Sequence, residues 1–321
     1  MVEKIWCGKE SNANIAGLNI PTDDSAEYKL VWNDEFDKDC LDLKKWSANT
    51  CGTWNEDHAY TYESPYWRFK DSVATLSMTK FEKENEKGKL YLDAYSFVTS
   101  DTMNFQYGYI EMRAKVPFFG KGEFPAFWLL SSQAVLARRQ SDYNIRKNRI
   151  EIDIFENFGS KRTIVPNLHK YENIPNGWHS QLSGIDHGAS VSGTKSYKFP
   201  ENAEPNDWHT YGMLWTENLI SFSVDGEFYY TYDLSQNFGK IEDTDCFHQP
   251  VAVIISNQIF SENWCKINDF AKANGPAAPE IFPLDYSVDY VRLYQKASGI
   301  LLTQERENRT SPFAEDDHRR Y

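Results

Sequence analysis

The sequence predicts an all-β protein built as a sandwich of two antiparallel sheets. Three observations support this fold class: segments that alternate apolar and polar residues, an Asp-Gly pair between two such segments, and weak helical periodicity throughout. The chain has 321 residues, 40% hydrophobic and 25% charged, which is enough to bury the core of one large domain. We expect residues 28–296 to form that domain, after a lead-in (1–27) and before a charged, mobile tail (297–321).

The predicted strands follow each other along this domain. Tyr109–Val116 alternates apolar and charged residues with a period of two, as in a half-buried strand. Ile220–Val224 alternates in the same way up to Asp225-Gly226, a strong hairpin signal. Val251–Ile255 is a continuous apolar run, and Ser287–Gln295 is rich in Tyr and Val. Short strands broken by Gly, Pro, Asn and Asp clusters are typical of a two-sheet sandwich.

Composition restricts the partners. Aromatic residues make up 15% of the chain, which suits a sugar-binding cleft because pyranose rings pack on aromatic faces; an aromatic-rich core is the alternative. The formal net charge of −13 argues against nucleic acid and anionic membranes as partners. The sequence has no run of about 18 apolar residues. We expect a neutral polysaccharide or oligosaccharide substrate, no membrane association and a monomer.

The cysteines and the first residues leave the compartment open. The five cysteines lack the paired spacing of a zinc site. Free thiols are expected, and a bridge between Cys40 and Cys51 in an oxidising compartment is the alternative. Met1–Glu10 lacks the apolar stretch of a signal peptide. Secretion after removal of a leader and a cytoplasmic location both stay open.

Three acids occupy one predicted strand, Ile150–Glu156. Its isoleucines share one face, so Glu151 and Asp153 share the other. In a regular strand Glu156 would point into the core, where a lone carboxylate costs several kcal/mol. A β-bulge near Ile154-Phe155 would return Glu156 to the face of the other acids. An ordinary solvent-facing strand is the alternative.

The bulge also sets the distance between the outer acids. Two glutamates that lean inward from the strand leave about 5 Å between the carboxyls of Glu151 and Glu156. A retaining glycosidase has this separation, whereas an inverting enzyme needs ~6.5 to 9.5 Å. The spacing therefore predicts a retaining glycosidase.

Glu151–Glu156 matches, at every defined position, the catalytic signature of the bulge-containing branch of glycoside hydrolase family 16. That branch includes laminarinases, mixed-linkage glucanases and marine galactan hydrolases. Further segments resemble the family in the same order: Val31–Phe36 with Leu41-Asp42 and Trp46, Tyr107–Pro117, Pro125–Trp128, Trp208–Gly212 with Trp215, Val224–Gly226, and Val288–Tyr294. The resemblance spans residues 28–295 and implies a concanavalin A-like β-jelly-roll with an open cleft.

The resemblance implies a role for each acid. Glu151 is similar to the family's nucleophile, Glu156 to its general acid/base, and Asp153 to the acid between them. The nucleophile must be ionised, while the acid/base must hold a proton for the leaving oxygen. A negative Asp153 helps to keep Glu156 protonated.

The resemblance also implies cleft residues and a metal ligand. The substrate-binding positions are Asn55, Phe124, Trp128, His169, Asn257 and Trp264. Core packing is the alternative for Trp128, and a structural role for His169. No cofactor is expected to be required, and a structural calcium with Asp289 as ligand is implied by the family.

Some departures from the family unsettle the sugar subsites. Phe124 stands where laminarinases usually have Trp, Asn148-Arg149 where a Trp is frequent, and Ser256–Asn263 replaces a glycine-rich segment. The insert between Trp128 and Glu151 carries five basic residues: Arg138, Arg139, Arg146, Lys147 and Arg149. It is interpreted either as a solvated loop or as a site for an anionic sugar such as a sulfated galactan.

The expected activity is retaining endo-hydrolysis of a β-linked glucan, with β-1,3- or mixed β-1,3-1,4-linkages. The alternatives are hydrolysis of an agar- or carrageenan-type galactan, a lectin-like protein without turnover, and transglycosylation.

Overall fold

A computed structural model describes most of the predicted domain. The described residues are 6–7, 27–42, 44–46, 67–78, 95–99, 102–131, 149–171, 196–235, 247–260, 275 and 278–303. Among them, no helix is long and apolar enough to cross a membrane. A 3-10 helix forms at Pro279–Ile281, and the other elements with bounds inside the described ranges are β-strands.

The strands are numbered in chain order. They are β1 Trp6–Cys7, β2 Lys29–Asp34, β3 Leu41–Asp42, β4 Trp67–Lys70, β5 Val73–Met78, β6 Tyr95–Val98, β7 Met103–Gln106, β8 Gly108–Lys115, β9 Ala126–Ser131, β10 Arg149–Glu156, β11 Thr163–Tyr171, β12 Tyr197–Lys198, β13 Trp208–Trp215, β14 Leu219–Val224, β15 Glu227–Asp233, β16 Val251–Asn257, β17 Leu284–Gln295 and β18 Ile300–Thr303.

Two antiparallel sheets of eight described strands each form the sandwich. The front sheet has the order β12-β11-β10-β9-β16-β7-β18, with β6 also paired to β16. The back sheet has the order β15-β14-β13-β8-β17-β5-β4, with β2 also paired to β17. A short parallel pair, β1 and β3, lies apart from both. The predicted two-sheet jelly-roll sandwich is confirmed.

The core lies between the inner faces of the two sheets. Ile150 and Ile152 of β10 are fully buried in the same cluster as Met112 of β8. Phe155 of β10 packs on Tyr211 of β13, with ring centroids 4.5 Å apart. Because side chains alternate along a strand, the polar residues between these apolar ones lie on the outer face of the front sheet.

The predicted hairpin closes β14 onto β15. Asp225 has φ 51° and Gly226 φ 79°, the left-handed pair that a two-residue hairpin turn requires. Val224 pairs with Glu227 across the turn. The Asp-Gly signal is therefore confirmed.

The structure corrects two expectations at the edges of the domain. Ile300–Thr303, expected in the mobile tail, forms β18 and pairs with Met103–Gln106 of β7. Leu301 of this strand packs against the core, which is the physical reason that this part of the tail is ordered. Cys40 is in a disulfide rather than a free thiol.

Candidate active site

The predicted bulge is present in β10. On one side, Asp153 pairs with Asn167 and Glu156 with Val165, so three steps along β10 match two along β11. The register of β10 against β9 also shifts between Asp153 and Phe155. Ile154 and Phe155 are both buried in the core. The extra residue therefore returns Glu156 to the outer face, as predicted.

The next strand, β11, brings two polar side chains to the acids. His169 pairs with Glu151 across the strands. Its Nε2 lies 3.0 Å from Asp153 Oδ2 and 3.8 Å from Glu151 Oε1. Asn167 Nδ2 donates a hydrogen bond of 2.5 Å to Glu156 Oε2. Among the described residues, Glu151, Asp153 and His169 bring potential ligand atoms within 4.8 Å of one another, which is close enough to hold a metal ion.

The electrostatics of the site favour a shared proton. Burial raises the pKa of Asp153 well above its ordinary value, the charge of Glu151 adds to this, and a hydrogen bond with Glu156 opposes it. Burial and the charge of Asp153 likewise raise the pKa of Glu156, while His169 and Asn167 oppose the shift. Two close buried carboxyls cannot both ionise easily, so Asp153 and Glu156 favour a state in which they share one proton.

Trp128 lies beside the acids, in the place expected of a cleft residue. It pairs with Asp153 across β10 and β9, and its side chain is 9% exposed. The indole Nε1 donates to Ser256 Oγ at 3.1 Å. Trp128 packs in a small apolar cluster separate from the main core, with Ala126, Leu130, Ala252 and Ile254. The side chains of this cluster cover the outer face of the front sheet next to Asp153.

Phe124 belongs to an aromatic cluster near the Glu156 end of the strands. Its ring stacks with those of Phe158, at 5.1 Å, and Phe260, at 5.3 Å. Phe124 is 8% exposed. Ala126, two residues later, pairs with Glu156. The position near Glu156 is compatible with the predicted substrate contact, but the ring is largely covered by its aromatic neighbours.

Asn257 does not line the site, which corrects the prediction. Its side chain is fully buried, and Nδ2 donates to Leu76 O at 3.0 Å and to Leu284 O at 2.9 Å. Both carbonyls belong to the back sheet, so Asn257 points into the sandwich. Its neighbour Ser256 points outward to Trp128 instead. One step of strand alternation separates the two roles.

The surroundings of Asp289 do not fit its predicted role as a calcium ligand. It lies between Val288 and Tyr290, where the register of β17 against β8 shifts. Its carboxylate forms an ion pair with Arg113, whose guanidinium lies 4.9 Å from the ring centroid of Trp208. A cation at this carboxylate would face a guanidinium already bound there.

Several predicted residues lie outside the described part of the chain. These are Asn55, Trp264 and four residues of the basic insert, Arg138, Arg139, Arg146 and Lys147. Arg149 begins β10.

Two described residues of the site were missed by the sequence prediction, Asn167 and Ser256. Asn167 precedes His169 by two residues, so the strand period that predicts His169 on the outer face predicts Asn167 there as well. For Ser256 the run Val251–Asn257 is buried throughout, and a continuous apolar run does not indicate which residues face outward.

The fold and the site define a class: β-sandwich proteins with three acids on a bulged strand, arranged as for glycosidic bond cleavage. Residues 29–296 match the family model described as "Beta-porphyranase A-D, GH16 domain". The chain therefore belongs to glycoside hydrolase family 16.

Individual relatives agree with this family. The chain is 27% identical over 313 residues to the glucan endo-1,3-beta-glucosidase A1 of Niallia circulans, covering 92% of this chain and 40% of that protein. It is 26% identical to the beta-glucanase of Rhodothermus marinus, covering 85% and 87%. The laminarinase structure from Flavobacterium sp. UMI-01 has a TM-score of 0.60 at 26% identity, covering 83% of this chain and all (100%) of that one.

Proposed function

We propose that the protein is a retaining endo-glycoside hydrolase that cleaves internal β-1,3- or mixed β-1,3-1,4-linkages of a glucan. The observation that carries the proposal is the bulged strand β10, which aligns Glu151, Asp153 and Glu156 on one face. A sugar-binding protein without turnover has no need for this arrangement. The Niallia relative is a glucan endo-1,3-beta-glucosidase and the Rhodothermus relative a beta-glucanase, which supports a glucan as substrate.

In the first step, Glu151 attacks the anomeric carbon and forms an ester bond to it. The glycosidic bond breaks as Glu156 passes its proton to the leaving oxygen. Burial raises the pKa of Glu156 and the charge of Asp153 raises it further, so both favour the protonated Glu156 that this step needs.

In the second step, water attacks the same carbon and the bond to Glu151 breaks. Glu156, now ionised, takes a proton from that water and is ready for the next cycle. Two displacements at one carbon retain the anomeric configuration.

A galactan is the second candidate substrate, because the family model that matches this chain is that of the beta-porphyranase A-D GH16 domain. The insert carries five basic residues, and guanidinium and ammonium groups pair with the anionic groups of a sulfated galactan. A neutral glucan has no anionic group with which they could form an ion pair. The substrate panel below therefore includes sulfated and unsulfated galactans beside the glucans.

The first experiment is a polysaccharide panel with sizing of the products and proton NMR of the first reducing ends. We expect oligosaccharides from laminarin or a mixed-linkage glucan, released with retained configuration. Products from a galactan alone would move the substrate assignment, and the inverted anomer would contradict the roles of the acids. Products longer than the substrate would indicate transglycosylation. Binding without cleavage would favour a lectin.

Azide rescue separates the two glutamates. With an activated aryl glycoside, Glu156→Ala still forms the intermediate but lacks the base that resolves it. Azide should restore turnover and give a β-glycosyl azide. Glu151→Ala cannot form the intermediate, so rescue there should give the α-azide. The same product from both variants would contradict the assignment.

A further inference from the structure

Asn167 of β11 holds one oxygen of the acid/base. Its Nδ2 donates to Glu156 Oε2 at 2.5 Å, and its side chain is 6% exposed. The contact depends on the bulge: Asn167 pairs with Asp153 across the strands, and the extra residue of β10 brings the Glu156 carboxyl back towards it. Val165, the residue directly opposite Glu156, has no polar group to offer.

A neutral amide donor acts differently from the acids around it. Glu151 and Asp153 are carboxyls that disfavour a negative charge on Glu156, whereas Asn167 and His169 favour it. Asn167 differs from His169 in that it reaches Glu156 itself, while His169 Nε2 lies near Asp153 and Glu151. An N–H donor bonds more strongly to a carboxylate than to a neutral carboxyl oxygen.

We propose that Asn167 is a positioning residue that fixes Oε2 of Glu156 and stabilises its ionised form for the second displacement. The proposal rests on the proposed hydrolase function. Because Oε2 accepts the amide N–H, the proton that Glu156 donates in the first step is carried on Oε1. The acids of β10 favour protonated Glu156 for the first step, and the amide of β11 favours the ionised form that the second step needs.

The test compares Asn167→Ala and Asn167→Asp with wild type on a polysaccharide and an activated aryl glycoside. Loss of the donor should raise the basic limb of the kcat/KM profile on polysaccharide by about one pH unit. With the aryl glycoside, resolution of the intermediate should limit turnover, so kcat should fall about tenfold and azide should restore it. Asn167→Asp has the same shape without the donor and should shift the limb at least as far.

A matched control is Asn104→Ala, which removes a buried amide from β7 of the same sheet. This substitution should leave the basic limb of the kcat/KM profile at its wild-type pH. Asp153→Asn should move the limb in the opposite direction, since it removes a charge. A role in folding alone predicts lower stability in Asn167→Ala with an unmoved limb and no azide rescue, and that result would overturn the proposal.

Carbon-13 NMR titration of glutamate-labelled protein separates this proposal from the hydrolase proposal. The Glu156 carboxyl, assigned by its loss in Glu156→Gln, should titrate about one unit higher in Asn167→Ala than in wild type. If wild type cleaves no substrate, the hydrolase proposal fails and this titration still decides the role of Asn167. An equal titration midpoint in both proteins contradicts it, whatever the activity.

Discussion

Asp153 lies between two glutamates, and burial together with the charge of Glu151 raises its pKa. It is 2% exposed, lies 3.0 Å from His169 Nε2, and raises the pKa of Glu156. A carboxyl in this position cannot be a solvated surface acid. We therefore expect Asp153 to act on the proposed reaction through the protonation of Glu156.

Asp153→Asn should lower turnover and move the basic limb of the kcat/KM profile downward by about one pH unit. The reason is that removal of the negative charge makes Glu156 easier to ionise. A pH–rate profile on polysaccharide measures both effects. Asp289→Asn, which removes a carboxyl paired with Arg113 on the back sheet, is the control. Full activity with an unchanged profile in Asp153→Asn would leave Asp153 a purely structural role.

At the scale of elements, the β14–β15 hairpin is tied to β13 by a charged pair. His209 Nδ1 lies 2.7 Å from Asp225 Oδ2, and His209 Nε2 lies 3.1 Å from Glu204 O. Burial alone would lower the pKa of His209, but Asp225 and Glu204 outweigh it, so the pKa lies above its ordinary 6.5. Burial opposes ionisation of Asp225, but the hydrogen bonds from His209 and from the Thr210 N–H, together with the charge of His209, outweigh burial, so the pKa of Asp225 lies below its ordinary 3.8.

The pair should stabilise the fold in a limited pH window. The His209 contribution is fully present below pH 6.5 and is lost as pH rises through the higher folded-state pKa. The Asp225 contribution is present above pH 3.8 and is lost as pH falls through the lower one. Between pH 3.8 and pH 6.5 both contributions are present. In that range His209→Gln should lower the free energy of unfolding by about 0.5 to 1 kcal/mol, a small effect because the pair is partly exposed.

Thermal unfolding of wild type and His209→Gln over a pH series measures this window. The difference in melting temperature should shrink in alkaline solution. Asp225→Asn should reproduce the same pH dependence, because it removes the same pair from the other side. A difference that stays constant with pH would show that the ring contributes by packing alone, as its contact with Phe199 at 4.7 Å would allow.

At the scale of the whole molecule, the domain extends past residue 296. Strand β18 closes the edge of the front sheet beside β7, and Gln295 Nε2 donates to Ile300 O at 3.0 Å. The last strand of the back sheet is thereby connected to the edge of the front sheet.

Truncation should show that the two sheets depend on this strand. A chain ending at Lys296 should be less stable than a chain ending at Thr303 by on the order of 1 to 3 kcal/mol. It loses the β7 pairing and the packing of Leu301. Urea unfolding of both chains measures the difference. Equal midpoints would mean that Ile300–Thr303 contributes nothing to the domain.

The sequence by itself determined the strand pattern, the Asp-Gly hairpin and the bulge in β10. Each follows from local chemistry: alternation, a turn that needs two left-handed residues, and a carboxylate that cannot lie unpaired in the core. The tertiary structure decided the rest. Only strand pairing places Asn167 against Glu156 and Arg113 against Asp289, because partners distant in sequence leave no local signal. Only packing decides that Asn257 faces the back sheet while Ser256 faces outward, since a strand that is buried on both faces carries no alternation that indicates its direction.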